Sequence, residues 1–154
     1  EALVRLIMAE KDDYYKLAYV YLKNEADSLD ALQEMIVILY ENIGKLRKLD
    51  SFYSWSKTIL VNECKRMLRE RKRTISLDQV QEEFEENYEL SEDKIVLDKY
   101  LRQLSDKHEE VIRLRYLLDL DYESIGKLLG IPLGTVKSRL SIGMEKLRAL
   151  REVD

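Results

Sequence analysis

Apolar side chains recur at spacings of three and four along the chain, and β-branched alternation is nearly absent. A repeat near 3.6 marks helices with one buried face, so the chain is predicted to be all-α. After Asp27 or Ser28, either of which suits an N-cap, the residues Leu29, Leu32, Ile36, Leu39 and Ile43 form one stripe, the predicted core of an N-terminal domain. Met35, Val37, Ile38 and Tyr40 are apolar as well, which makes this helix greasier than a small domain easily covers. A partner surface is one explanation and a compact core the other; Asp30, Gln33 and Glu34 read by default as a solvated face.

A second helix is predicted from near Ser51 to about Arg73. At 100° per residue it divides into two chemically opposite faces. Tyr53, Leu60, Cys64, Met67 and Leu68 share one, the predicted buried side. Trp55, Ile59, Asn62, Lys65, Arg66, Arg69 and Arg73 share the other. An aromatic ring, an amide and a run of cations on one stripe suit unstacked nucleic acid, where bases rest on apolar surface and cations follow phosphates. Lys45, Arg47 and Lys48 add cations just before this helix. Against that reading, a basic helix end is often a solvated face favoured by the helix dipole.

In the C-terminal part, Ser105 or Asp106 opens a predicted helix carrying Val111, Ile112, Leu114, Leu117 and Leu118. A second helix, Tyr122 to Leu129, presents Tyr122, Ile125, Leu128 and Leu129, and Gly130 stops it. Ile131 and Pro132 make the turn, and Gly134 and Thr135 open a third helix whose core face is Val136, Leu140, Gly143, Leu147 and Leu150. Helix, tight turn and helix make a helix-turn-helix. Opposite its core lie Thr135, Ser138, Ser141, Ile142 and Glu145, with Lys137 and Arg139 on the flanks, short enough to enter a major groove while cations reach phosphates. The backbone amides from Gly134 to Val136 are candidate phosphate donors.

Charge changes the picture of how these parts are joined. The 154 residues carry a net charge of −4, but residues 65–73 carry +5 and residues 74–94 carry −7. The acidic stretch has the weakest periodicity and is expected to be a linker, dividing the chain into 1–73, 74–94 and 95–154. The alternative is a short acidic helix with Val80, Phe84 and Tyr88 on one face. At 45% apolar residues the chain can bury a core, and no apolar run exceeds the six residues of Met35 to Tyr40, against the roughly 20 needed to cross a bilayer. A non-membrane, cytoplasmic location is expected. Because the chain begins at Glu1 rather than Met, a short preceding segment is expected to be missing from it.

Chemistry narrows the classes further. One Cys and one His leave no structural zinc set and no internal disulfide. Cys64 falls on the buried face and is expected to be inert; His108, near a helix start without a Ser or Cys partner at a telling spacing, suits a capping or surface role. The run from Gly126 to Gly130 is too short for a phosphate loop. No metal, cofactor or catalytic constellation is expected. A binding factor, a stand-alone helix-turn-helix regulator and a helical protein-binding adaptor all fit these residues.

Three segments together resemble the extracytoplasmic-function sigma factors, which direct bacterial RNA polymerase to stress promoters. Asp27 through Glu34 is similar to the family's core-binding motif. Phe52-Tyr53-Ser54-Trp55, with Asn62 seven residues after the Trp and the basic tail to Arg73, is similar to its promoter-melting and minus-ten-reading helix. Leu133-Gly134-Thr135-Val136-Lys137-Ser138-Arg139-Leu140 resembles the opening of its minus-thirty-five recognition helix. The resemblance implies that Asp27, Asp30, Gln33, Glu34 and Ile38 meet core RNA polymerase. It implies promoter contacts from Lys45, Arg47, Lys48, Trp55, Asn62, Lys65, Arg66, Arg69 and Arg73 at the minus-ten element. At the minus-thirty-five element it implies Gly134, Thr135, Lys137, Ser138, Arg139, Ser141 and Ile142. An anti-sigma partner and a free monomer are also implied.

Two departures stand out. Family members commonly carry more Arg where this chain has Ser141, Ile142, Gly143 and Met144, and an apolar-aromatic pair where it has Ser56 and Lys57. A net charge of −4 predicts poor binding to free DNA, so polymerase would have to supply contacts of its own.

Overall fold

In the computed structural model, residues 2–46, 48–78 and 92–153 are described, apart from the side chains at 49, 75–78 and 92–94. Every regular element among them is helical, and they fall into two compact units. The first contains α1 (Ala2–Ala9), α2 (Lys11–Leu22), α3 (Glu25–Asn42) and α4 (Phe52–Asp78), with short 3₁₀ turns at Ile43–Lys45 and Leu49–Ser51. The second contains α5 (Glu92–Leu101), α6 (Asp106–Tyr116), α7 (Tyr122–Leu129) and α8 (Leu133–Val153).

In the first unit α2, α3 and α4 pack on one another. Tyr14, Leu17, Ala18 and Leu22 of α2 meet Ala31, Met35 and Leu39 of α3 and Phe52, Leu60, Val61 and Cys64 of α4 in a closed core. Lys23 ends α2 in the left-handed region at φ 60, its amide bonded to the Tyr19 carbonyl, and Asn24 then caps α3 by accepting from the Asp27 amide at 2.7 Å. The helix therefore starts three residues earlier than Asp27 as cap would place it, and four earlier than Ser28 would. Asp27 instead sits in the first turn, where its carboxylate accepts from the Asn24 side chain at 2.8 Å.

The buried stripe of α3 also differs from the expected one. Ser28, Ala31, Met35 and Leu39 are buried, whereas Leu29, Ile36 and Ile43 are exposed and Leu32 is half-buried. Both rows have helical spacing. The small side chains at 28 and 31 allow close approach to the neighbouring helices, and the Ser28 hydroxyl is satisfied internally by donating to the Asn24 carbonyl at 2.7 Å.

α4 continues to Asp78, past Thr74 where the acidic linker was expected to begin. The rest of that stretch up to residue 91, including the alternative helix with Val80, Phe84 and Tyr88, lies outside the described residues.

In the second unit α6 and α8 form the main packed pair, with α7 and α5 set against them. α5, a helix the apolar spacing alone did not single out, places Leu101 in the core and its Asp98 beside two arginines. Burial works against the Asp98 charge, but hydrogen bonds from Arg113 at 2.7 Å and Arg102 at 2.6 Å outweigh it and hold the carboxyl below its usual value. Arg113, itself buried, also donates to Glu109 at 2.9 Å. α7 is capped by Asp121, which accepts from the Ser124 amide at 2.7 Å, and closed by Gly130 at φ 66, a conformation that favours glycine. Helix, turn and helix fall where the sequence placed them, although Tyr122 and Leu117 are exposed. At Gly143 a Cβ would stand 2.8 Å from Ile112 Cδ1 and 3.3 Å from His108 Cβ, so α6 and α8 pack closely there and a larger residue would make the Ile112 side chain move.

Candidate functional site

Three surfaces carry the residues singled out above. On α3 the outward face has two halves. Leu29, Ile36, Tyr40 and Ile43 line one side, and Asp30, Glu34 and Glu41 the other, with Gln33 and Val37 between them. Tyr40 is 76% exposed and Val37 48%, large apolar groups in water without intramolecular cover. Asp30, Gln33 and Glu34 are exposed and Ile38 is half-buried. Asp27 differs from the other two acids, since it is tied to Asn24 and forms an ion pair with Arg71 of α4. That pair joins the start of α3 to the basic end of α4.

The second surface is the outer side of α4. Trp55 is half-buried, its ring edge-on to Phe52 with centroids 6.4 Å apart. Ile59 and Lys65 are also half-buried, while Asn62, Arg66, Arg69 and Arg73 are exposed. The helix thus brings the predicted minus-ten residues onto one stripe. Arg66 is the exception in its bonding: its Nε donates to both Glu63 oxygens at 3.1 Å, Nη2 donates to Glu63 Oε1, and Nη1 donates to Glu70 Oε1 at 2.6 Å. Those bonds, Glu63's above all, raise the Arg66 pKa further. Lys45 and Lys48 are exposed beside the 3₁₀ turns; Arg47 lies outside the described residues.

The two unusual positions on α4 have internal partners. Ser56 is buried with its Oγ 2.6 Å from the Tyr14 hydroxyl, and Lys57 Nζ lies 3.3 Å from Glu10 Oε2. Cys64 is buried, and desolvation pushes its thiol up to about 12, which leaves it protonated and unreactive.

The third surface is the start of α8. Gly134, Lys137, Ser138, Ser141 and Ile142 are exposed, and Thr135 and Arg139 are half-buried. One expectation is corrected here: the Thr135 and Val136 amides donate to the Pro132 carbonyl at 3.0 and 3.1 Å, so neither is available as a phosphate donor. Patterning missed Arg115, whose guanidinium lies 5.7 Å from the Tyr116 ring centre and 5.8 Å from that of Tyr122. Arg115, Tyr122, Leu133 and Lys137 line one shallow depression at the mouth of the turn. Its trace in the sequence is an arginine just ahead of two tyrosines, Tyr116 and Tyr122, at the entry to the helix-turn-helix.

His108 is buried rather than on the surface, with Nδ1 2.7 Å from Ser105 Oγ. Among the described residues no His, Cys, Asp and Glu cluster could hold a metal ion, and no helix is long and apolar enough to cross a membrane.

Comparison with known proteins gives these surfaces a context. Residues 6–74 match the model for sigma-70 region 2, and residues 100–149 match that for sigma-70 region 4. The RNA polymerase sigma factor SigV of Bacillus subtilis is 32% identical over 95% of this chain and 89% of its own length. The ECF RNA polymerase sigma factor SigW of the same organism is 29% identical over 96% and 88%. Among solved structures, the sigma factor RpoE of Bartonella quintana, in complex with the anti-sigma factor NepR, superposes with a TM-score of 0.75 over 97% of this chain and 96% of that one, at 24% identity. Region 2 covers the unit that carries the α3 and α4 surfaces, region 4 covers the helix-turn-helix, and the sigma-factor relatives align across both: the chain belongs to the extracytoplasmic-function RNA polymerase sigma factors.

Proposed function

We propose that this alternative sigma factor docks on core RNA polymerase through the outward face of α3, with Asp30, Gln33 and Glu34 beside the apolar half and Asp27 and Ile38 at its edge. The observation that carries this reading is the apolar row of Leu29, Ile36, Tyr40 and Ile43, each left exposed among the described residues. An apolar row flanked by acids fits a partner surface with complementary greasy and basic parts. α4 then takes the melted non-template strand near Asn62, with Lys45, Arg47, Lys48 and Trp55 contributing from its start and the cations from Lys65 to Arg73 from its end. Gly134, Thr135, Lys137, Ser138, Arg139, Ser141 and Ile142 of α8 meet the minus-thirty-five duplex. The working division of the chain is 1–73, an acidic connection over 74–94, and 95–154. The protein is a binding factor and not an enzyme, it acts in the cytoplasm, and it serves a stress or envelope response. Among the structural relatives, RpoE was solved with the anti-sigma factor NepR and CnrH with the cytosolic domain of CnrY, and a masking partner of the NepR kind fits the same α3 face.

Size-exclusion co-elution with bacterial core polymerase tests the docking reading. The parent chain co-elutes, and a variant carrying Gln33→Ala, Glu34→Ala and Val37→Glu does not, although its circular dichroism is unchanged. All three positions are exposed, so the core is left intact. Co-elution of both chains would rule out the α3 face.

A further inference from the structure

Position on α4 makes Arg66 one of a run of phosphate-following cations, but its guanidinium is already engaged. Two nitrogens bond Glu63 and a third bonds Glu70. Glu63 is only 6% exposed, so this guanidinium takes the place of water around its charge. One guanidinium between two carboxylates leaves the cluster at −1, with three of its five N–H donors already committed to charge-assisted hydrogen bonds. A site of that charge does not release counterions as a free cation does. The bonding leaves two N–H donors and the flat face of a delocalised cation whose side chain is 46% exposed, and in a cluster that is already net negative the face is the part that suits a base rather than a phosphate.

That face has suitable neighbours. Trp55, Ile59, Asn62 and Arg66 follow one another at spacings of four, three and four, a continuous column along α4. Asn62, one turn before Arg66, is exposed and makes no side-chain hydrogen bond among the described residues. Resting on the reading that α4 receives the melted strand, we propose that Arg66 is a base-stacking residue, held by Glu63 and Glu70 as a plate beside Asn62 for an unstacked base, and that it does not neutralise phosphate. Arg69, exposed and without an ion pair among the described residues, is the phosphate-binding contrast.

The test uses the chain assembled with core polymerase and a fluorescent single-stranded oligonucleotide spanning the minus-ten element, titrated across a range of KCl concentrations. Replacing Arg69 by Gln lowers the salt slope by about 0.7, as expected for one phosphate on a single strand. Arg66→Gln with Glu63→Gln, which keeps the net charge constant, leaves the slope unchanged and weakens binding about tenfold. That weakening disappears when one base of the strand is replaced by an abasic site. Glu63→Gln with Glu70→Gln releases the cation and steepens the slope by about 0.7. A slope that falls with the Arg66 and Glu63 pair, binding unaffected by its removal, or a slope indifferent to the loss of both glutamates would each overturn the stacking role. Failure of the parent to bind the strand, or an Arg69 variant with an unchanged slope, would overturn the α4 reading itself and the stacking role with it.

Discussion

The Tyr14 hydroxyl and Ser56 Oγ lie 2.6 Å apart with both residues fully buried, a polar pair joining α2 to α4 inside the core of the first unit. Ser56 has one proton and gives it to the Tyr53 carbonyl at 3.1 Å, so Tyr14 donates to Ser56. Desolvation pushes the Tyr14 hydroxyl up to about 12, which keeps the donor proton in place. Ser56→Ala leaves that hydroxyl buried without a partner and costs about 1–3 kcal/mol. Adding Tyr14→Phe removes the orphan and recovers much of the loss. Trp55, the sole tryptophan, sits beside Ser56 on α4, so urea unfolding followed by its fluorescence reads this unit. Equal losses in the single and double variants would count against an unsatisfied hydroxyl as the cause.

The acids at the start of α3 divide into two roles. Asp27 is engaged by Asn24 and Arg71 and stands in the first turn of the helix, where the dipole favours a negative charge. Asp27→Ala is expected to lower the stability of the first unit by roughly 1 kcal/mol, with a smaller loss of polymerase affinity than Asp30→Ala causes, as suits a residue at the edge of the docking face. Asp30 is exposed, and Asp30→Ala leaves the urea midpoint in place while weakening co-elution with polymerase. The same ordering of the two variants in both measurements would contradict the division.

The reason one part of the fold was legible and another was not lies in how many helical rows a segment offers. Between Tyr122 and Leu140 only one row is apolar, Gly130 supplies the left-handed cap, and Pro132 marks the turn, so helices and turn were fixed by local chemistry. α3 has more than one apolar row, and periodicity pointed to Leu29-Leu32-Ile36-Leu39-Ile43, of which Leu39 is buried, while the rest of the buried row is Ser28, Ala31 and Met35. The choice rests on Ser28 and Ala31, whose value lies in allowing close approach, a property of the pair of helices rather than of the segment. The excess of apolar residues on α3 was visible in the sequence; which of them face outward was not. On α4 the stripe around Asn62 was legible, but the bonds holding Arg66 and Arg71 depend on Glu63 and Glu70 in one case and on a different helix in the other.

Acid should loosen the second unit through His108. Burial is the main cause of its lowered pKa, and Lys146, Lys107 and Arg139 add to it. The folded state therefore holds His108 neutral where the unfolded chain takes up a proton. Because the unfolded state binds more protons in that window, stability is full above about pH 6.5 and falls as pH drops towards the folded value. Asp98 and Asp121 titrate below their usual range and add their own losses only at lower pH. Hydrogen exchange in α6 and α8, corrected for the intrinsic rate, is expected to show less protection at about pH 5.5 than at about pH 7. His108→Gln can still bond Ser105 but cannot titrate, so it should flatten the trend. The same drop in that variant would place the cause elsewhere.

At the start of α8 the internal bonds decide which groups hold DNA and which read it. With the Thr135 and Val136 amides committed to the Pro132 carbonyl, side chains carry more of the phosphate contact near this helix end, and Lys137 is an exposed cation close to its start. Ser138 and Ser141 are exposed but uncharged and short enough to approach base edges. With the chain assembled on core polymerase, Lys137→Gln should weaken binding to every minus-thirty-five variant by a similar factor and reduce the salt slope by about 0.9, the share of one duplex phosphate. Ser138→Ala should leave the slope alone and change the ranking of minus-thirty-five sequences. Competition binding over a set of single-base promoter variants at two salt concentrations separates the two effects. A Lys137 variant that reorders the promoters, or a Ser138 variant that moves only the slope, would reverse the assignment of holding and reading along α8.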